Sequence, residues 1–167
     1  MKLPKGEDDM RRKATMLAAA LTAAWTTGAM AQDAFDACEV FTQAEAQKAL
    51  GMPVEPEPVN PKAKKPKVIP TCTWHASKDG KPVSASATFR FSRNEADARR
   101  AFDDEKLAFQ TKPMLLGDAS AFWSAKQGVV QLLKGRTWIV VAVGGAKPAE
   151  RDAEAARKVA EALEKKL

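Results

Sequence analysis

The stretch TCTWH, residues 71 to 75, contains the side chains of this chain that are best suited to chemistry. Cys72 is one of only two cysteines and His75 is the only histidine among 167 residues. A thiolate beside an imidazole is the pair that cysteine nucleophiles use, and an imidazole beside a serine can act as a general base. The chemistry available here therefore depends first on whether Cys72 is a free thiol.

The spacing in TCTWH does not match the sites that usually combine cysteine with histidine. Covalent haem attachment uses C-x-x-C-H, and the second adjacent cysteine is missing. A zinc site takes three or four Cys, His or carboxylate ligands, and one histidine with two paired cysteines does not supply them. We therefore expect no catalytic residue, no metal and no cofactor. A small hydrolase using His75 with Ser84 or Ser86 is the enzymatic alternative, although no nucleophile-elbow pattern supports it.

Residues 1 to 31 have the features of an export signal. A basic stretch at 11–13 precedes the apolar run ATMLAAALTAAW (14–25), and Ala29 and Ala31 occupy the small-residue positions of a cleavage site. The apolar run is shorter than the roughly 20 residues that a membrane-spanning helix needs. The sequence therefore predicts a signal peptide that is removed, leaving no transmembrane helix.

The predicted cleavage lies between Ala31 and Gln32, which makes the product periplasmic or secreted. Because position 32 is Gln and not Cys, we expect no lipid anchor. Acidic residues at 7–9 dilute the basic flank, so Met10 is an alternative translation start. The remaining residues 32–167 have the length of a single domain.

The two cysteines both lie in this domain, and an even number of cysteines in an exported chain predicts a disulfide between Cys38 and Cys72. Closing a loop of about 35 residues stabilises the fold by roughly 4 kcal/mol in the chain-entropy model. Strand alternation then directs Trp74 to the same side as Cys72, and His75 to the opposite, solvent side. On that side, His75 forms a polar sheet face together with Ser84, Ser86 and Arg90. We expect this face to contact an envelope protein or peptide.

The enclosed segment 53–70 holds a run of prolines and predicts an extended loop. Its lysines, Lys62, Lys64, Lys65 and Lys67, form an alternative site for weak contact with a polyanion or an anionic membrane surface. The alternative interpretation is a solvent-exposed loop without a binding role. The net charge of residues 32–167 is only +4, which does not require an anionic partner. No aromatic residue is interleaved with these lysines, so we expect no nucleic acid.

Secondary-structure patterns predict one α+β domain. VSASATFRF (83–91) alternates apolar with polar residues and predicts a strand with one buried face. FTQAEAQKALG (41–51) has a capping box and a terminal glycine, which are typical of a helix. Further helices are predicted over 92–109, with a capping box at Ser92, and over 149–167. The order α-β-β-α-β-β-β-α predicts an antiparallel sheet with helices packed on one face.

Several stretches together resemble a group of small exported bacterial proteins, many of them lipoproteins of unknown function. These are CEVFTQAEAQKALG, CTW, LGDASAFW, LLKGRTWIVVAVGG and AEAARKVAEALEKKL. The domains of that group are similar to the PsbP-type α/β sandwich. The resemblance covers nearly all of residues 36 to 167, implies the same sandwich fold, and supplies no catalytic residues. It agrees with a non-enzymatic binding or accessory module of the bacterial cell envelope.

Overall fold

The computed structural model describes residues 35–60, 69–109 and 111–167. These residues form four α-helices, one 3-10 turn and six strands. The helices are α1 (Ala37–Val40), α2 (Gln43–Leu50), α3 (Glu95–Ala108) and α4 (Ala153–Glu164), with the 3-10 turn at Pro148–Glu150. The strands are β1 (Thr71–Lys78), β2 (Lys81–Phe91), β3 (Thr111–Leu116), β4 (Ala119–Ser124), β5 (Val129–Lys134) and β6 (Thr137–Gly144). No helix within the described residues is long and apolar enough to cross a membrane.

All six strands belong to one antiparallel sheet with the order β1-β2-β6-β5-β4-β3. The prediction of an α+β fold with an antiparallel sheet and packed helices is confirmed. The element order differs from the predicted one by two additions, because α1 precedes α2 and β3 precedes β4. TWIVVAV forms β6, which lies inside the sheet between β2 and β5, as its continuous apolar character predicts.

Local sequence explains where the helices begin and end. In α2, Thr42 and Glu45 form the predicted capping box, and Gly51 ends the helix with a φ of 69°. In α3, Asn94 accepts a hydrogen bond from the Asp97 backbone N–H, so the helix begins later than predicted. The predicted capping box at Ser92 is therefore wrong, because Asn94 caps the helix instead.

The first face of the sheet is the side toward which Cys72 and its cross-strand partner Ala87 point. The α1, α2 and α4 helices cover this face. Its centre consists of fully buried apolar side chains contributed by three neighbouring strands and by α4, including Phe89, Ile139, Leu132 and Leu163. Burial of this layer supplies the main driving force for folding.

The second face is the opposite side, and α3 packs on it. Ala98 and Phe102 of α3 form a separate buried cluster with Phe122, Leu133 and Trp138. The Phe102 ring lies 4.9 Å from the Phe122 ring and 6.0 Å from the Trp138 ring, between centroids. The prediction that the helices share one face is therefore wrong for α3, because the central strands are apolar on both sides and need cover on both.

The strand β3 contains Pro113, a residue type that usually interrupts regular elements. A proline is compatible with a strand at the edge of a sheet, where its nitrogen can face away from the neighbouring strand. β3 is such an edge strand and pairs only with β4 among the described strands. The missing N–H at residue 113 therefore interrupts no ladder hydrogen bond.

Candidate functional site

The disulfide between Cys38 and Cys72 is present, with 5.1 Å between the two Cα atoms. It joins α1 to β1, and the Cys72 side chain is fully buried on the first face. Trp74 points to the same face, where its Nε1–H donates a hydrogen bond of 3.0 Å to the carbonyl of Phe41. Because both sulfurs are bonded to each other, Cys72 is not a thiolate and cannot serve as a nucleophile.

The alternation of β1 places His75 on the second face, beside serine and threonine side chains of β2. Three cross-strand pairs follow one another here: His75 opposite Ser84, Thr73 opposite Ser86, and Thr71 opposite Thr88. All six side chains are half-buried. We call these six residues the open polar surface. Sequence reasoning identified His75, Ser84 and Ser86, and the strand register adds Thr71, Thr73 and Thr88.

The open polar surface consists of short side chains that can both donate and accept hydrogen bonds. Neighbouring strands lie about 4.8 Å apart, so the hydroxyl groups form a closely spaced array without a carboxylate. The Thr71 and Thr88 Oγ1 atoms lie 3.1 Å apart and bond to each other. Among the described residues, neither Ser84 nor Ser86 donates its hydroxyl to a protein partner. Such an array offers hydrogen bonds to a molecule that packs against it.

Arg90 marks one end of the open polar surface, where the cover by α3 begins. Its guanidinium carbon lies 4.5 Å from the centroid of the Trp138 ring, which is a cation–π contact. The Trp138 ring is itself packed on α3 through Phe102. Arg90 therefore keeps an exposed positive charge against the sheet, at the boundary between the open and covered parts of the second face.

The covered part of the second face contains a buried hydrogen-bond network. The Trp138 Nε1–H donates 3.0 Å to Gln131, whose own amide donates 2.9 Å to Gln127. Gln127 in turn donates 2.8 Å to a carboxylate oxygen of Glu105 on α3. These bonds satisfy the polar groups beneath α3 and fix its position on the sheet.

A short extended segment lies along the outer edge of β1 and borders the open polar surface. Val59 and Thr73 exchange two backbone hydrogen bonds of 2.8 and 3.0 Å, and the Glu55 N–H donates 2.8 Å to the His75 carbonyl. Val59 is 55% exposed, so it adds an apolar element at this border. This contact was not predicted. The prolines in 53–70 indicate a loop, and a bridge between only two residues leaves no recognisable strand pattern in the sequence.

The predicted anion site and the predicted hydrolase residues have different outcomes. Lys62, Lys64, Lys65 and Lys67 lie outside the described residues, and their role as an anion site stays a prediction. His75 and Ser84 are brought together as cross-strand neighbours, as a hydrolase would need. In the described part of the chain, however, no hydrogen bond links His75 to a serine or to a carboxylate that could orient it.

Two concave surfaces lie away from the open polar surface. One of about 420 Å³ lies at the tip of the β1–β2 hairpin and includes Lys78, Lys81 and Glu150. The other, of about 680 Å³, separates α2 from α4 and is lined by charges of both signs, with Ala49 and Val159 among them. Neither of these two includes a residue of the open polar surface.

Comparisons with known proteins leave the chain without an assigned family. No family model, curated protein or solved structure matches it. The resemblance to PsbP-type envelope domains therefore stays a prediction from the quoted stretches.

Proposed function

We propose that this chain is an exported, non-enzymatic binding or accessory module of the bacterial cell envelope. The open polar surface supports this proposal most directly. It is a sheet face of short, mostly hydroxyl-bearing side chains beside an apolar border at Val59, while α3 covers the central part of the same face. A polar sheet face is suited to contact with a protein or peptide partner, where hydrogen bonds set specificity.

The disulfide supports export, because such bonds persist in oxidising compartments. The proposed route is cleavage between Ala31 and Gln32, followed by release into the periplasm or the medium. The intact mass of the protein isolated from cells tests this step. We expect a chain that begins at Gln32, and a mass that retains residues 10–31 would contradict the proposal.

Site-specific crosslinking tests the binding surface. We would replace Ser86, at the centre of the open polar surface, by a photoreactive amino acid and irradiate intact cells. The matched control places the same group at Lys158, an exposed residue of α4 on the other side of the sheet. We expect a discrete crosslinked product from position 86 and not from position 158.

A blocking variant separates specific contact from chance proximity. Ser86→Arg adds a long charged side chain in the middle of the surface and should abolish crosslinking from a probe placed at Thr73. The variant Lys158→Ala should leave that product unchanged. Equal crosslinking from both faces, or a product that survives Ser86→Arg, would contradict a partner site on this surface.

A further inference from the structure

The concave surface between α2 and α4 has an apolar floor. Its volume of about 680 Å³ lies within the range of small-molecule sites. Val159 is buried, and three half-buried alanines line the surface with it: Ala49, Ala155 and Ala162. We call this surface the α2–α4 groove. Its floor offers no side-chain hydrogen-bonding group and is suited to cover the apolar part of a ligand.

The carboxylates that line the α2–α4 groove already have partners. There are four of them: Glu45, Asp152, Glu154 and Glu161. Glu45 forms an ion pair of 2.8 Å with Lys166. Glu154 and Glu161 both pair with Arg157. Asp152 accepts hydrogen bonds of 2.9 Å from two backbone N–H groups at the start of α4. Lys166 and Arg157 lie outside the lining, so the negative charges are balanced from outside the groove.

The lysines of the groove are not balanced in the same way. Lys48 and Lys165 are exposed and form no ion pair with another described residue. Lys158 approaches Glu154 only to 3.9 Å, and Arg157 holds that carboxylate more closely, at 2.8 Å. The groove therefore presents ammonium groups without close partners beside an apolar floor. This charge pattern complements a negatively charged ligand.

The four carboxylates of the groove also limit the charge of that ligand. They oppose a ligand with several negative charges, because like charges brought close together disfavour binding. A neutral hydrocarbon would make no use of the lysines, and a small inorganic anion would make no use of the floor. The combination favours a molecule with one carboxylate and an apolar chain.

We propose that the α2–α4 groove binds a small amphiphilic carboxylate, with its head group among the lysines and its chain on the floor. The site goes beyond the proposed partner surface, because α2 and α4 cover the first face whereas the open polar surface belongs to the second. A small ligand forms no crosslinked protein product at Lys158, so the control for the partner surface is unaffected.

Titration of the purified protein with octanoate tests the site, with NMR signals of labelled alanine methyl groups as the readout. We expect saturable shifts at Ala49 and Ala162, with a Kd on the order of 1 mM for a ligand of about ten non-hydrogen atoms. Acetate has the head group without the chain, and octylammonium has the chain with the opposite charge. Both should bind at least about fivefold more weakly. Equal binding of either one, or no shift at these alanines with octanoate, would overturn the proposal.

Substitution of two lysines tests the charge of the site. Lys48→Gln combined with Lys165→Gln should weaken octanoate binding at least about threefold, because two exposed charge contacts are lost. The matched control combines Lys78→Gln with Lys81→Gln at the tip of the β1–β2 hairpin, and it should leave the Kd unchanged. All four side chains are exposed, so both variants should keep the parent's melting temperature. An equal loss in both variants, or no loss in the first, would overturn the proposal.

A substitution in the floor tests where the chain lies. Ala162→Glu adds a carboxylate to the floor and should abolish the octanoate shifts at Ala49. Ala44→Glu makes the same change on an exposed part of α2 outside the groove and should leave these shifts unchanged. A folded Ala162→Glu variant that binds octanoate as tightly as the parent would overturn the proposal.

Discussion

Cys72 and His75 lie three residues apart on one strand, yet they belong to regions held by different interactions. Cys72 points to the first face, where the disulfide, Trp74 and three helices enclose an apolar layer. His75 points to the second face, where α3 covers the central strands and β1 and β2 carry an array of short polar side chains. The comparison shows that strand alternation alone separates residues that hold the fold from residues available for contact.

Two neighbouring residues of β2 point to opposite faces and should contribute very differently to stability. Phe89→Ala should lower the free energy of unfolding by about 3 to 5 kcal/mol, because it empties a fully buried site beside the Phe35 ring. Thr88→Ala removes one half-buried hydrogen bond on the other face and should cost about 1 kcal/mol or less. Urea denaturation of both variants measures the difference. Similar losses would show that the two faces contribute alike.

Removing the disulfide tests the covalent part of the first face. Replacing both Cys38 and Cys72 by Ser removes the crosslink between two residues that lie 34 positions apart, so the unfolded chain gains conformational entropy. The free energy of unfolding should fall by about 4 kcal/mol in the chain-entropy model. The parent protein under a reducing agent should show a similar loss in thermal denaturation. A loss below about 1 kcal/mol would mean that packing of α1 on β1 suffices without the bond.

The covered half of the second face should be intermediate. Gln131→Ala leaves the buried Trp138 N–H without an acceptor and should cost about 1 to 3 kcal/mol. Gln127→Ala is the matched control and should cost less, because this half-buried site admits water. Chemical denaturation measures both. A larger loss for Gln127 than for Gln131 would contradict the order of burial.

Acid should lower the stability of the protein in part by protonating Glu45, which lies on α2 on the first face. Burial raises the pKa of this carboxyl, but hydrogen bonds from Lys166 and Thr42 and the Lys166 charge outweigh it, and the pKa is lowered below its ordinary value of 4.5. The stabilisation is therefore present above that value and is lost as the pH falls below it. The melting-temperature gap between the parent and Glu45→Gln should narrow from neutral pH to about pH 3. A constant gap would exclude this contribution.

The smallest effect on stability should come from His75. His75→Ala removes a half-buried side chain that is not hydrogen-bonded to any described residue, and it should change the free energy of unfolding by no more than about 0.5 kcal/mol. If the open polar surface binds a partner, the same variant should reduce crosslinking from position 86. A large loss of stability without loss of crosslinking would reverse the roles assigned to the two faces.

The sequence patterns predicted the elements whose local chemistry is unambiguous. The capping box and terminal glycine of α2 and the alternation of β2 appear as expected. The strand β3 was missed because Pro113 breaks most regular elements, and only its position at the sheet edge makes it acceptable. The location of α3 on the second face was also missed, because an apolar stripe indicates that a helix packs but not on which side.

The sequence predicted some residues of the candidate surface and missed others, because local patterns report only on neighbours along the chain. Alternation along β1 and β2 correctly separated His75, Ser84 and Ser86 from the core. The border at Val59 and the contact of Arg90 with Trp138 depend on pairings between segments far apart in the sequence. Local patterns do not contain that information, since it arises only when the strand order is fixed.

The junction of β2 with β6 has a consequence for how the chain acquires its structure. Ser84 pairs with Gly144 and Phe91 with Thr137, so the middle of the sheet joins two segments separated by an intervening helix and three strands. Because the chain is synthesised from its N-terminus, the hairpin of β1 and β2 can form early. The middle of the sheet cannot assemble until residue 144 has been synthesised. Such distant pairing slows folding. On the proposed export route, slow folding would keep the chain extended while it passes through a narrow channel.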